Sequence, residues 1–201
     1  MRLGIFGGTF DPPHSGHLAL ALAALQQLGL DRVLWVVTAD PPHKVGLPLS
    51  PIQDRLDMVL AAIRGQSGFE ISRVDIDRPG PHWSADTVAL LKYSQPEAEW
   101  VYLMGGDSLR DLPTWGRPQE LLANASLGVL LRPDAEVDLA RLEQILPGIS
   151  SRVAYVSAPR QAISSHDIRR RVAHGRSIDG LVPSGVAALI QARGLYRHAA
   201  E

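Results

Sequence analysis

The run Gly7-Gly8-Thr9-Phe10-Asp11-Pro12-Pro13-His14-Ser15-Gly16-His17 concentrates residue types suited to holding an anion. Paired glycines let a backbone approach a phosphate without Cβ atoms in the way. Pro12-Pro13 stiffens the segment, and Gly16 lets the chain turn into a helix whose first N–H groups point at the anion. His14 and His17 stand three apart at that helix entrance, a spacing that lets both imidazoles face one bound group. The order is neither GxGxxG nor the Walker pattern, so neither the dinucleotide fingerprint nor the usual ATPase loop applies. Two other readings stay open on these residues alone. One is an ordinary strand-to-helix turn with two exposed histidines. The other is a zinc site, since His-x-x-His supplies two ligands, although no Cys and no obvious third ligand stand nearby.

A second phosphate-sized feature is Ser164-Ser165-His166-Asp167-Ile168-Arg169. Ser164 or Ser165 can cap a helix, its first N–H groups can hold phosphate oxygens, and Arg169 lies about one turn further on. A plain helix cap is the alternative. Between Arg152 and Arg176 stand six arginines (152, 160, 169, 170, 171 and 176) and one acid, Asp167. A solvated helix face is the simple account of such a run.

Residues of this kind must be held by a scaffold, and the hydrophobic pattern supplies one. Short aliphatic runs alternate with longer amphipathic ones, the pattern of a doubly wound α/β fold with a mostly parallel sheet covered by helices on both faces. Strands are predicted at Leu3 to Phe6, Val33 to Val37, Phe69 to Ile71, Val101 to Met104, Leu127 to Leu131 and Val153 to Val156. Helices are predicted from about Gly16 to Leu28, Pro51 to Ile63, Ala85 to Tyr93 and Leu139 to Leu146, with two more near the end. Ser50-Pro51 with Gln53 reads as a capping box with Pro at the first helical position, and Ser84-Ala85-Asp86-Thr87 as a cap with an early acid. The opening loop then lies at the carboxyl end of a strand, where open parallel sheets bind ligands.

The 201 residues, 45% hydrophobic, suffice for one substantial core, which excludes a disordered or fibrous chain. No repeat or linker divides them, so a single domain over residues 1–201 is expected, with 160–201 as its C-terminal helical part. Twenty Lys plus Arg against twenty-one Asp plus Glu leave no global field for nucleic acid or an anionic membrane, so an anion must be bound locally. The longest apolar run, Leu18 to Leu25, is far short of the roughly 20 residues that cross a bilayer. No signal peptide is legible before Gly7, and a cytoplasmic location is expected. The absence of cysteine excludes disulfides, thiolate metal sites and Cys nucleophiles.

With these residues in view, the chain resembles the nucleotidyltransferase superfamily marked by a His-x-Gly-His tetrad, matched by His14-Ser15-Gly16-His17, and within it the bacterial nicotinate-nucleotide adenylyltransferases. The resemblance runs through Pro41-Pro42-His43-Lys44, Gly80-Pro81-His82-Trp83-Ser84-Ala85-Asp86-Thr87, Gly105-Gly106-Asp107, Leu112-Pro113-Thr114-Trp115, Arg132-Pro133 and Ile163 to Arg169. It implies transfer of AMP from ATP to nicotinate mononucleotide, with pyrophosphate leaving in line. The attacking phosphate is already an anion, so the protein supplies position and positive charge rather than a general base.

The resemblance further implies a division of labour. His14, His17 and Arg169 are the expected catalytic residues, with protonation of the imidazoles strengthening their contact to phosphate. Gly7, Gly8, Thr9, Phe10, Gly105, Asp107, Ser164, Ser165 and His166 complete the expected ATP site. Lys44, Ser84, Thr87, Asp111 and Trp115 form the expected acceptor site: Lys44 on the mononucleotide phosphate, Trp115 stacked on the pyridine ring, and N–H groups of Ser84 and Asp111 on its carboxylate. Members usually carry Thr where this chain has His166 and often an aromatic residue where it has Asp111. Mg2+ is expected only as ATP carries it, because no paired carboxylates form a dedicated cage and no protein metal site is expected. The alternatives are a nicotinamide mononucleotide or phosphopantetheine acceptor, a nucleotide-binding regulator without turnover, or a fragment like the catalytic core of a class I aminoacyl-tRNA synthetase. Near-zero charge and the intact tetrad weigh against the last two.

Overall fold

A computed structural model describes residues 1–41, 48–130, 137–158 and 163–197. Six strands, β1 (Arg2–Gly8), β2 (Arg32–Val37), β3 (Phe69–Ser72), β4 (Glu99–Gly105), β5 (Ser126–Leu130) and β6 (Val153–Val156), form one sheet in the order β3-β2-β1-β4-β5-β6. Every pairing is parallel. Side chains alternate across a strand, and each inner strand here feeds two cores by parity. Val33, Trp35 and Val37 enter one apolar cluster while Leu34 and Val36 enter the other; Val101 and Leu103 oppose Trp100, Tyr102 and Met104 in the same way. Both faces are thus covered, which is why these strands read as unbroken apolar runs.

The helices are α1 (Ser15–Gln27), α2 (Ile52–Ile63), α3 (Ser84–Ser94), α4 (Gly106–Asp111), α5 (Pro118–Asn124), α6 (Leu139–Ile145), α7 (Ser165–Ala173) and α8 (Ser184–Ala192). α1, α2, α7 and α8 bury Leu20, Leu56, Ile168 and Val186 on one face; α3, α4, α5 and α6 bury Val88, Leu109, Leu121 and Leu142 on the other. Strand order reverses between β1 and β4, so the chain leaves those two neighbours in opposite directions and opens a crevice beyond their carboxyl ends.

All six predicted strands are present, most of them longer by a residue or two at their ends; Leu131, the predicted end of the fifth, lies outside the described residues. The capping box at Ser50 does not form. Pro51 itself takes the N-cap position, and the Ser50 N–H instead reaches Asp11 Oδ2 at 3.1 Å while its carbonyl accepts from Arg55 Nε at 3.0 Å. Ser84 does not cap α3 either: Trp83 is the N-cap, and the Ser84 hydroxyl lies 3.0 Å from that of Tyr102. In both cases a tertiary hydrogen bond takes the group that the local motif would have used.

Candidate active site

The opening loop leaves β1 at Gly8 and enters α1 at Ser15. His14 is the N-cap of α1, and with His17 it forms a reciprocal pair: the His17 N–H donates to His14 Nδ1 at 3.3 Å, and the His14 N–H donates to His17 Nδ1 at 3.2 Å. This is a capping box built from two imidazoles, each satisfying a helix-terminal donor. The rings stack with centroids 3.6 Å apart and planes 19° apart. Because Nδ1 accepts in both rings, the network assigns the ring hydrogen to Nε2 in each. In this arrangement each ring keeps Nε2–H as its donor. A proton added at Nδ1 would turn an acceptor toward a donor, and two charged rings at this separation would repel.

Phe10 supports the pair. It holds a left-handed backbone (φ 49°), and its buried ring meets His17 edge-on at 5.2 Å and Phe6 at 5.3 Å. Gly7 and Gly8 also serve the packing beneath the loop. Both belong to β1, and a Cβ at Gly8 would stand 2.9 Å from the Phe10 ring, one at Gly7 2.9 Å from the Tyr102 hydroxyl. Their missing side chains make room for the protein's own aromatic groups.

The N-terminus of α7 packs against this loop. Ser164 is its cap, accepting the Asp167 N–H at 3.0 Å. Ser165 Oγ donates to the Pro12 carbonyl at 2.8 Å, and Arg169 Nη1 donates to the Asp11 carbonyl at 2.7 Å. Two helix N-termini, those of α1 and α7, and a guanidinium thus meet around one loop, an arrangement that favours bound negative charge. His166 is exposed on the first turn of α7, and the Asp167 carboxylate pairs with Arg170.

The other half of the site lies on the opposite face of the sheet. Tyr102, at the end of β4, is buried beneath Gly7 and shares a hydrogen bond with Ser84, the first residue of α3. Burial pushes its phenol up to about 12, so it remains a neutral hydroxyl. Trp115 is half-buried with its ring edge-on to Tyr102 at 6.0 Å, at the border of the core and not within it. Trp83 lies so close to Gly116 that a Cβ there would stand 2.3 Å from the indole. Gly105, the N-cap of α4, has open space where a side chain would stand.

Other expected site residues are placed differently. Thr87 is buried, its hydroxyl donating to Asp75 Oδ1 at 2.7 Å and receiving Arg78 Nη2 at 3.3 Å, so it braces α3 from within. Asp107 and Asp111 are exposed at the two ends of α4 and share Arg110, at 2.9 and 3.7 Å. The Asp111 carboxylate is therefore turned to solvent. Lys44, Arg132, Pro133 and Arg160 lie outside the described residues.

Three supports of this arrangement were not among the expected site residues. Arg55, 2% exposed, donates to the carbonyls of Thr9, Thr38, Ala39 and Ser50 at 2.7–3.0 Å, tying the opening loop to the segment after β2. Burial lowers its pKa, opposed by Asp11. Buried His82 fixes the same segment, accepting the Asp40 N–H through Nδ1 at 3.1 Å. Tyr196 reaches Asp11 from the far end of the chain. Each of Arg55, His82 and Tyr196 is a polar residue near an apolar one, which periodicity alone reads as a helix face, a loop or a tail.

Residues 5–171 match the cytidylyltransferase-like family model. A protein of Thermomicrobium roseum described as a probable nicotinate-nucleotide adenylyltransferase is 49% identical over 98% of this chain and 92% of its own length. One of Thermus thermophilus with the same description is 41% identical over 98% of this chain and 100% of its own. Among solved structures, a Plasmodium falciparum nicotinic acid mononucleotide adenylyltransferase complexed with NaAD superposes with a TM-score of 0.79 at 18% identity, covering 100% of this chain and 99% of that one, a likeness of fold. The chain belongs to the cytidylyltransferase-like family, among its nicotinate-nucleotide adenylyltransferases.

Proposed function

We propose that the crevice between β1 and β4 transfers AMP from ATP to nicotinate mononucleotide, giving nicotinic acid adenine dinucleotide and pyrophosphate, as a cytoplasmic step of NAD synthesis. The observation that carries the reading is the stacked His14–His17 pair at the α1 N-terminus, joined to the α7 N-terminus through Arg169 and Ser165. A mononucleotide phosphate oxygen attacks the α-phosphorus of ATP, a new O–P bond forms, and the bond to the bridging oxygen of pyrophosphate breaks. No proton moves. The two Nε2–H groups and Arg169 stabilise charge that grows on the α-phosphoryl oxygens and on the leaving group, and the first N–H groups of α7 hold the β- and γ-phosphates.

Mg2+ enters as part of the substrate, bridging ATP phosphates and keeping several waters. The acceptor lies on the Tyr102 side, its pyridine against Trp115 and its carboxylate at the N-terminus of α3 beside Ser84. Lys44 is assigned to its phosphate. The whole of residues 1–201 acts as one unit, with 160–201 supplying α7 and α8.

Pyrophosphate release from MgATP with a panel of acceptors tests the proposal. Nicotinate mononucleotide should be turned over with the highest kcat/KM. Preference for nicotinamide mononucleotide or phosphopantetheine would move the chain to a sibling activity, and no release with any acceptor would make it a nucleotide-binding regulator.

A further inference from the structure

We infer that Tyr196 is a positioning residue for the transfer reaction, setting the geometry of the His14–His17 loop through Asp11. Asp11 sits three residues before His14 and is 3% exposed. Three separate elements converge on it. Tyr196 Oη donates to Oδ1 at 2.5 Å, the Ser50 N–H donates to Oδ2 at 3.1 Å, and Arg169 Nη1 donates to its carbonyl at 2.7 Å. A residue from the end of the chain, one from the start of α2 and one from α7 are thus fixed to the same residue of the phosphate-facing loop. Burial and the Asp11 carboxylate hold the phenol well above its ordinary range, so it stays a donor.

The backbone shows that this contact is specified and not incidental. Beyond the end of α8 at Ala192, Gly194 makes a left-handed turn, with the Leu195 N–H returning to the Ile190 carbonyl at 3.0 Å. Tyr196 then takes a left-handed conformation itself (φ 64°), which directs its ring inward between Met58 and Asp11. Phe10, the neighbour of Asp11, is also left-handed (φ 49°). Non-glycine residues adopt this region only when their surroundings over-determine it, and such strain gathers where geometry matters. Here one of them, Tyr196, makes the hydrogen bond to Asp11, and the other, Phe10, adjoins Asp11 in the chain. A second anchor holds the same C-terminal segment without touching the loop: Arg193 pairs with Asp54 at 2.5 Å and Asp57 at 2.6 Å on α2. Arg193 secures the segment, and Tyr196 transmits its position to the loop that carries both histidines and supports Arg169.

The inference rests on the proposed adenylyl transfer and is tested with the full chain by comparing Tyr196→Phe with Arg193→Gln. Loss of one hydroxyl lets the loop relax, and a small misplacement of reacting groups is costly to the chemical step. Tyr196→Phe should lower kcat about tenfold per folded molecule, leave KM for ATP within about twofold, and cost little in Tm. Arg193→Gln should lower Tm and leave kcat unchanged. A parental kcat in Tyr196→Phe, an equal loss of kcat in Arg193→Gln, or a Tyr196→Phe chain that does not fold each overturns the positioning role. If the parent protein itself releases no pyrophosphate, the proposed function fails instead, and the two failures are told apart.

Discussion

His14 and His17 hold each other: each imidazole accepts the other's backbone N–H through Nδ1, and the two rings lie in a stack 3.6 Å apart. Helix capping and ring tautomer are therefore one structural fact. The Nδ1 atoms close the first turn of α1, and that commitment turns both Nε2–H groups into the pair's hydrogen-bond donors.

Two substitutions separate these tasks. His17→Asn keeps an acceptor at the Nδ1 position and removes the Nε2–H, so it should retain nearly parental stability while kcat falls roughly 100-fold or more. His17→Ala loses both, adding a stability loss of about 1 kcal/mol. Thermal melts with steady-state kinetics decide, and an unchanged kcat in His17→Asn would remove the histidine from the chemistry.

Trp115 meets Tyr102 edge-on and is only half-buried, at the border of the core, where the proposed function assigns it to the pyridine ring. Trp115→Ala should raise KM for nicotinate mononucleotide about tenfold or more, since stacking on a base is worth roughly 1–3 kcal/mol, and should leave KM for ATP nearly unchanged. A fall in Tm with both KM values at parental levels would make the indole a packing residue.

Arg55 is a clamp whose four acceptors have few alternatives. Arg55→Met should destabilise the fold by about 3–5 kcal/mol in chemical denaturation, because the carbonyls of Thr9, Thr38, Ala39 and Ser50 lose a shared charged donor. A loss below about 1 kcal/mol would mean that water or neighbouring groups replace it.

Tyr102 carries a pH prediction. Its folded pKa, about 12, lies above the ordinary phenol value of 10.0, so the neutral form is the one folding favours. The associated stability is full below pH 10 and is lost as pH rises from there through about 12. Melting curves should show part of the alkaline loss between these limits absent in Tyr102→Phe. Parallel parent and variant curves would contradict the assignment.

Legibility in the sequence followed the range of the interaction. The strands were readable because parallel strands covered on both faces, such as Val33–Val37, present continuous apolar runs. α4 and α5 were not, since both are short and Pro113, Gly116 and Pro118 punctuate the stretch that holds them as a loop would be. The tetrad and the α7 cap were legible as local motifs; the tautomer was not, because it depends on which nitrogen meets which N–H. Ser50 and Ser84 misled as caps because Asp11 and Tyr102, distant in sequence, claim the Ser50 N–H and the Ser84 hydroxyl. Thr87 belonged to a motif, but its hydroxyl serves buried Asp75. Tyr196 lies 185 residues from its partner, beyond the reach of any pattern of spacing.

The two halves of the crevice are most directly tested by a crystal structure with nicotinic acid adenine dinucleotide, a ligand long enough to occupy both. The account predicts its phosphates beside His14, His17 and the N-terminus of α7, with the pyridine ring against Trp115 and its carboxylate at the start of α3. A dinucleotide bound elsewhere, or one whose phosphates lie away from both histidines, would contradict it.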